Sequence, residues 1–142
     1  MINLILSFFN VGYFKYAPGT VASIVAAIIW FFIPLSLFQQ IISICTVSLL
    51  GFFFCFIVSK ELKESDPSYI VIDEVVGTFI SLLFIPKTVP FYILSVLVFR
   101  FFDILKPSII YHVENVKYGS GIMLDDILSG FFTFLIVYII IH

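Results

Sequence analysis

The chain has 142 residues, of which 62% are hydrophobic and only 11% are Lys, Arg, Asp or Glu, and its mean hydropathy is +1.22. Ordinary soluble domains carry about a quarter charged residues, and a globule of this length has too little interior to hide 19 Phe and 7 Tyr. This excludes a soluble monomer and predicts an integral membrane protein, while a net charge of −2 with seven scattered Lys and Arg excludes a nucleic-acid-binding surface.

Residues 1–13 are apolar but too short to span a bilayer, and are expected to lie along the membrane interface. They show no basic leader or small-residue cleavage site, so no secretory leader is expected there. Cutting the rest at Pro, Gly and charge leaves apolar stretches at 21–38, 41–59, about 68–85, 89–105 and 127–141. At 1.5 Å per residue these make helices of roughly 22 to 28 Å, short against a hydrocarbon core of about 30 Å. The expected fold is therefore all-α: one domain over residues 1–142, an integral membrane bundle of four or five short spans, the last only partly inserted. Thr20, Asp66 and Asp125 or Asp126 suit N-caps for the first, third and fifth spans, with Pro67 in the first turn of the third. Cys45 and Cys55 share one apolar stretch without a metal-binding spacing and read as inert thiols.

Alternating spans place Lys15, Lys60, Lys63, Lys106 and Lys117 on one side and only Lys87 on the other, which makes the first side cytoplasmic. All nine carboxylates share that side. Asp73, Glu74, Arg100 and Asp103 fall inside apolar spans, where each ionised group costs roughly 2.5 to 3.5 kcal/mol, so they must face inward and pair or bind a ligand. Asp66 and Asp73 share a helical face, Asp103 follows Arg100 by one turn, and Lys106 follows Asp103 by one more. With Asp125 and Asp126 these acids would repel unless protons or a divalent cation neutralised them, and all-oxygen ligation suits magnesium, Mg²⁺. Arg100, Lys106 and Lys15, with the backbone N–H groups of Ala17 to Thr20 (Gly19 among them) and of Gly119 to Gly121, suit a phosphate. A metal bridging carboxylates to a phosphoryl oxygen is the arrangement for attacking a phosphomonoester with water, and apolar surroundings would admit a lipid tail. Plainer roles remain open: the caps already named, a structural Arg100–Asp103 pair, and solvated loop charges at Glu61, Glu64 and Glu114. Adjacent acids at Asp73-Glu74 have no such role in helix packing.

Four blocks resemble the phosphatidylglycerophosphatase A family. They are Gly12-Tyr13-Phe14-Lys15-Tyr16-Ala17-Pro18-Gly19-Thr20 with Ser23; Asp66-Pro67 followed by Ile70-Val71-Ile72-Asp73-Glu74-Val75-Val76-Gly77; Phe99-Arg100-Phe101-Phe102-Asp103-Ile104-Leu105-Lys106-Pro107; and residues 119–130, Gly-Ser-Gly-Ile-Met-Leu-Asp-Asp-Ile-Leu-Ser-Gly. Together they touch most of the chain. One small departure is Val21-Ala22-Ser23, which keeps the Ser but not the Gly of a usual Gly-Ser pair. The resemblance implies a Mg²⁺-dependent lipid phosphatase of the bacterial cytoplasmic membrane that converts phosphatidylglycerophosphate to phosphatidylglycerol and inorganic phosphate. The sequence has no DxDx[TV] or Cys-x5-Arg nucleophile motif, which points to direct attack by water. Asp73, Glu74, Asp125 and Asp126 are then expected as metal ligands or base, Arg100 and Lys106 as phosphate holders, and Asp66 and Asp103 as orienting groups or further ligands. The reading from another class is a small proton- or cation-coupled transporter, since intramembrane acids paired with Arg also build ion paths.

Overall fold

A computed structural model describes residues 1–62, 67–114 and 120–142. Among these, all regular structure is helical: α1 (Ile2–Leu6), a 3-10 turn (Val11–Tyr13), α2 (Pro18–Phe32), α3 (Leu37–Leu62), α4 (Ile72–Ser81), α5 (Val89–Leu105), α6 (Ser108–Glu114) and α7 (Ser120–Ile141). Two helices, over Leu37–Glu61 and Ser120–Ile141, are long and apolar enough to cross a membrane.

Short-range chemistry explains several boundaries that differ from expectation. Residue 38 belongs to α3, because α2 stops at Phe32 before Pro34 and Ser36 and Gln39 form a capping box. The Gln39 carboxamide oxygen accepts from the Ser36 N–H at 2.9 Å, and the Ser36 hydroxyl accepts from the Gln39 N–H at 3.4 Å. α2 begins at Pro18 with Ala17 as its N-cap, so Thr20 lies inside the helix and does not cap it; proline's fixed φ suits the first helical position. α7 already runs from Ser120, so Asp125 and Asp126 sit within it and are not its caps. α5 starts at Val89 and ends at Leu105 as expected, with Lys106 left-handed at its C-cap.

The third stretch departs most. Only Ile72–Ser81 is helical, with Val71 as N-cap, so Pro67 does not stand in its first turn; Asp66 lies outside the described residues. The Val71 N–H donates to the Leu6 carbonyl at 2.9 Å, which ties this backbone to the N-terminal segment instead of to a longer helix. That segment does more than lie along an interface: Leu6, Ser7 and Gly12 are buried, and Tyr13 stacks on Tyr69 at 5.6 Å. A Cβ at Gly12 would overlap the Tyr69 carbonyl.

α4 is short, about 15 Å, and buried nearly all round, although it carries Asp73 and Glu74 in its first turn. Val75 and Phe79 face one core cluster with Ala22, Ala26 and Trp30 of α2 and Val137 of α7; Trp30 stacks on Phe79 at 4.3 Å. Ile72 and Val76 face a second cluster with Leu6, Cys55, Val58 and Met123. The outer surface remains apolar, with Leu49, Phe53, Leu97 and Ile139 at least 60% exposed, a surface that matches hydrocarbon better than water.

Candidate functional site

Helix α4 crosses α7 at two glycines. A Cβ at Gly130 would run into the backbone of Gly77, and one at Gly77 would meet the Phe99 ring and the Asp126 carbonyl. Small residues of this kind let apolar helices approach backbone to backbone. Asp73 lies four residues before Gly77 and Asp126 four before Gly130, so each acid stands one turn from the crossing on the helix face turned to its partner. The two helices enter the crossing in the same direction, which brings both N-terminal ends, and their acids, to one end of the bundle.

Helix α5 runs the other way and delivers Arg100 and Asp103 to that end. The Arg100 guanidinium pairs with Asp103 at 2.5 Å and reaches Glu74 at 4.0 Å. Lys106, at the α5 C-cap, pairs with Asp125 at 3.0 Å, and the Asp125 carboxylate also accepts from the Asp126 N–H at 3.0 Å. Helix α2 contributes its first turn. A Cβ at Gly19 would overlap the Glu74 carboxylate and crowd Arg100, and the Ser23 hydroxyl donates to the Gly19 carbonyl at 3.0 Å.

Two sets of carboxylates result. Oxygens of Asp73, Glu74 and Asp126 lie within 4.8 Å of one another, as do oxygens of Asp103, Asp125 and Asp126, so Asp126 belongs to both. Asp73 Oδ1, Glu74 Oε2 and Asp126 Oδ1 are buried without a hydrogen-bond partner, as is Arg100 Nε. Five acids thus meet two cations. Burying that excess of negative charge is costly unless a cation or protons balance it, and the donor set, hard oxygens with orphaned lone pairs, fits a divalent metal of the Mg²⁺ type.

Of the residues singled out from sequence, the structure brings together Asp73, Glu74, Arg100, Asp103, Lys106, Asp125, Asp126 and Gly19. Thr20 lies beside them, sharing with Arg100 the end of an apolar groove. Lys15 does not join: it is exposed, with its ammonium 5.5 Å from the Tyr16 ring. Asp66, Lys63, Lys117 and Gly119 lie outside the described residues. Both cations are paired with acids: Lys106 with Asp125, and Arg100 with Asp103 and Glu74. The Gly77–Gly130 crossing was not anticipated, although a small residue at regular intervals in an apolar helix is the available signal.

The family model for phosphatidylglycerophosphatase A matches residues 4–141. A phosphatidylglycerophosphatase A of Haemophilus influenzae is 37% identical over 98% of this chain and 88% of its own length. That of Escherichia coli is 32% identical over 94% and 80%. A Bacteroides thetaiotaomicron protein with the provisional name phosphatidylinositol-3-phosphatase is 36% identical over 91% and 86%. No solved structure matches the chain. A family match over nearly the whole sequence, with the quoted acidic blocks converging in space, means that the chain belongs to the phosphatidylglycerophosphatase A family and is a phosphatase.

Proposed function

We propose that the chain is an integral membrane enzyme that hydrolyses phosphatidylglycerophosphate to phosphatidylglycerol and inorganic phosphate, using Mg²⁺ at a site facing the bacterial cytoplasm. The observation that carries this reading is the convergence of five carboxylates with Arg100, three of the acids holding buried oxygens without partners. Asp73, Glu74, Asp103, Asp125 and Asp126 would hold the metal. When bound, Mg²⁺ would polarise the phosphoryl group and make a water molecule more acidic.

The chain's own residues supply the remainder. Arg100 lines the groove beside the acids and its guanidinium would serve a phosphoryl oxygen, while Asp103 and Glu74 hold it in place. The Asp73, Glu74 and Asp126 group takes the proton of the attacking water. The water oxygen bonds to phosphorus as the bond from phosphorus to the terminal glycerol oxygen breaks; that oxygen gains a proton to become the product hydroxyl, and inorganic phosphate leaves. Lys106 balances Asp125 and keeps its carboxylate oriented. The bundle would present this end to the cytoplasm, following the lysine asymmetry. A cation-coupled transporter finds no support, because the acids gather at one end of the helices and relatives are named as phosphatases.

The test is phosphate release by detergent-purified protein from phosphatidylglycerophosphate, phosphatidic acid and phosphatidylinositol 3-phosphate. Release is expected to be fastest from phosphatidylglycerophosphate, to stop in EDTA and to return with added Mg²⁺. Undiminished release in EDTA would remove the metal, and a preference for phosphatidylinositol 3-phosphate would reassign the substrate towards the name of the Bacteroides relative.

Arg100→Lys keeps the charge but not the planar fork, and is expected to lower kcat/KM about 100-fold. Lys106→Ala, which removes the ion pair to Asp125 and leaves Arg100 in place, is expected to cost less. Equal losses in steady-state kinetics would put both cations on the phosphate.

A further inference from the structure

We propose that the seam between α2 and α5 is the binding groove for one acyl chain of the phospholipid substrate, entered from the acidic site. This rests on the lipid phosphatase reading and adds where the tail goes. Helices α2 and α5 are antiparallel: Gly19 faces Arg100 at one end, and Phe31 packs edge-on against Tyr92 at 5.3 Å near the other. Between them lies a cavity of about 640 Å³. On α2 it is lined by Thr20, Ile24, Ile28 and Phe31, and on α5 by Ile93, Val96, Leu97 and Arg100, a single helical face in each case.

Three features select an acyl chain whose headgroup lies at the site. Charge is confined to one end, where Thr20 and Arg100 line the groove and Arg100 also contacts the carboxylate cluster; the far end is closed by the Phe31 and Tyr92 rings. A phosphate held beside Arg100 would place the start of an acyl chain at the mouth of the apolar seam. The length fits: from Arg100 to Val89 is eleven residues, or about 16 Å of helix, close to one leaflet's share of a hydrocarbon core of about 30 Å. The space is also unfilled by the chain itself. Ala27 at the floor is small and buried, while Ile93 and Leu97 at the rim are 55% and 64% exposed. At the far end Lys87 Nζ donates to the Ile33 carbonyl at 2.5 Å, joining the two helices' flanking segments beyond the groove.

The experiment compares palmitoyl and hexanoyl forms of phosphatidylglycerophosphate as substrates for the unaltered enzyme and for Ala27→Phe, which places a ring on the groove floor. The palmitoyl substrate is expected to lose about tenfold or more in kcat/KM, since several buried methylenes lose their contacts, while the hexanoyl substrate changes little. An equal loss on both substrates overturns the groove; no release from either by the unaltered enzyme overturns the phosphatase reading. The second measurement needs no variant and no turnover. Palmitoyl phosphatidylglycerophosphate carrying a mid-chain diazirine is photolysed with the unaltered protein in EDTA, and the labelled residues are mapped by mass spectrometry. Label on Ile24, Ile28, Ile93 or Leu97, competed by unlabelled substrate but not by equal phosphatidylglycerol, supports the groove. Label spread over the outer residues Leu49, Phe53 and Ile139, or label competed equally by both lipids, overturns it.

Discussion

Asp126→Asn is expected to lower phosphate release by about 10³-fold, because it removes a charged oxygen from both carboxylate sets at once. Asp73→Asn, which touches one set, is expected to fall nearly as far, and the double variant little further, since groups that act as one unit are not additive. Stability should move in the other direction. Five acids stand against Arg100 and Lys106, so replacing one buried carboxylate by an amide of the same shape relieves repulsion. In EDTA the Asp126→Asn protein is therefore expected to melt at a temperature equal to or above that of the unaltered protein, while Mg²⁺ raises its Tm less than it raises the unaltered one. Asp103→Asn gives the contrasting case: it takes the 2.5 Å partner from Arg100, leaves a guanidinium poorly paired, and should lower Tm and activity together. Phosphate release and detergent Tm, each with and without Mg²⁺, test all three. Full activity in Asp126→Asn would end the assignment, and a lower Tm in EDTA would mean that the acids are held by bonds and not by a missing cation.

The acids were legible in the sequence because charge in an apolar context is expensive wherever it occurs. Arg100 and Asp103 pair as their one-turn spacing predicts, and Asp73, Glu74 and Asp126 meet as the family blocks imply. Helix ends were less legible where partners distant in sequence decide them. Hydropathy alone runs 68–85 into one span, yet Val71 spends its N–H on Leu6 and the helix starts at Ile72. An apolar N-terminal segment offers no signal that it will dock against a particular backbone. The cap at Thr20 failed for a local reason, since Pro18 is the better first residue and moves the start three positions earlier. Lys15 was grouped with the phosphate donors on charge and chain proximity, but its segment holds it exposed over Tyr16. The lysine asymmetry gives a side of the membrane, not a position within the site.

Gly130→Ala is expected to damage both folding and activity. Helix propensity favours the substitution by about 1 kcal/mol, but the new Cβ would strike the Gly77 carbonyl and Cα, and backbone has no rotamer by which to move aside. Overpacking of this kind costs about 1–3 kcal/mol or drives the helices apart. Separation is the more informative outcome, because Asp73 and Asp126 each stand one turn from the crossing. A shift of about 1 Å in a catalytic constellation can cost about 100-fold, so activity should fall by more than the loss of folded protein explains. Gly51→Ala is the matched comparison. There the obstacle is Cε and Sδ of Met123, the far end of a flexible side chain that can swing away, so propensity gain and packing loss should nearly cancel. Detergent Tm and phosphate release per folded molecule, measured on both variants, separate the two cases. A Gly130→Ala protein as stable and active as Gly51→Ala would mean that the α4–α7 contact does not set the spacing of the two acids.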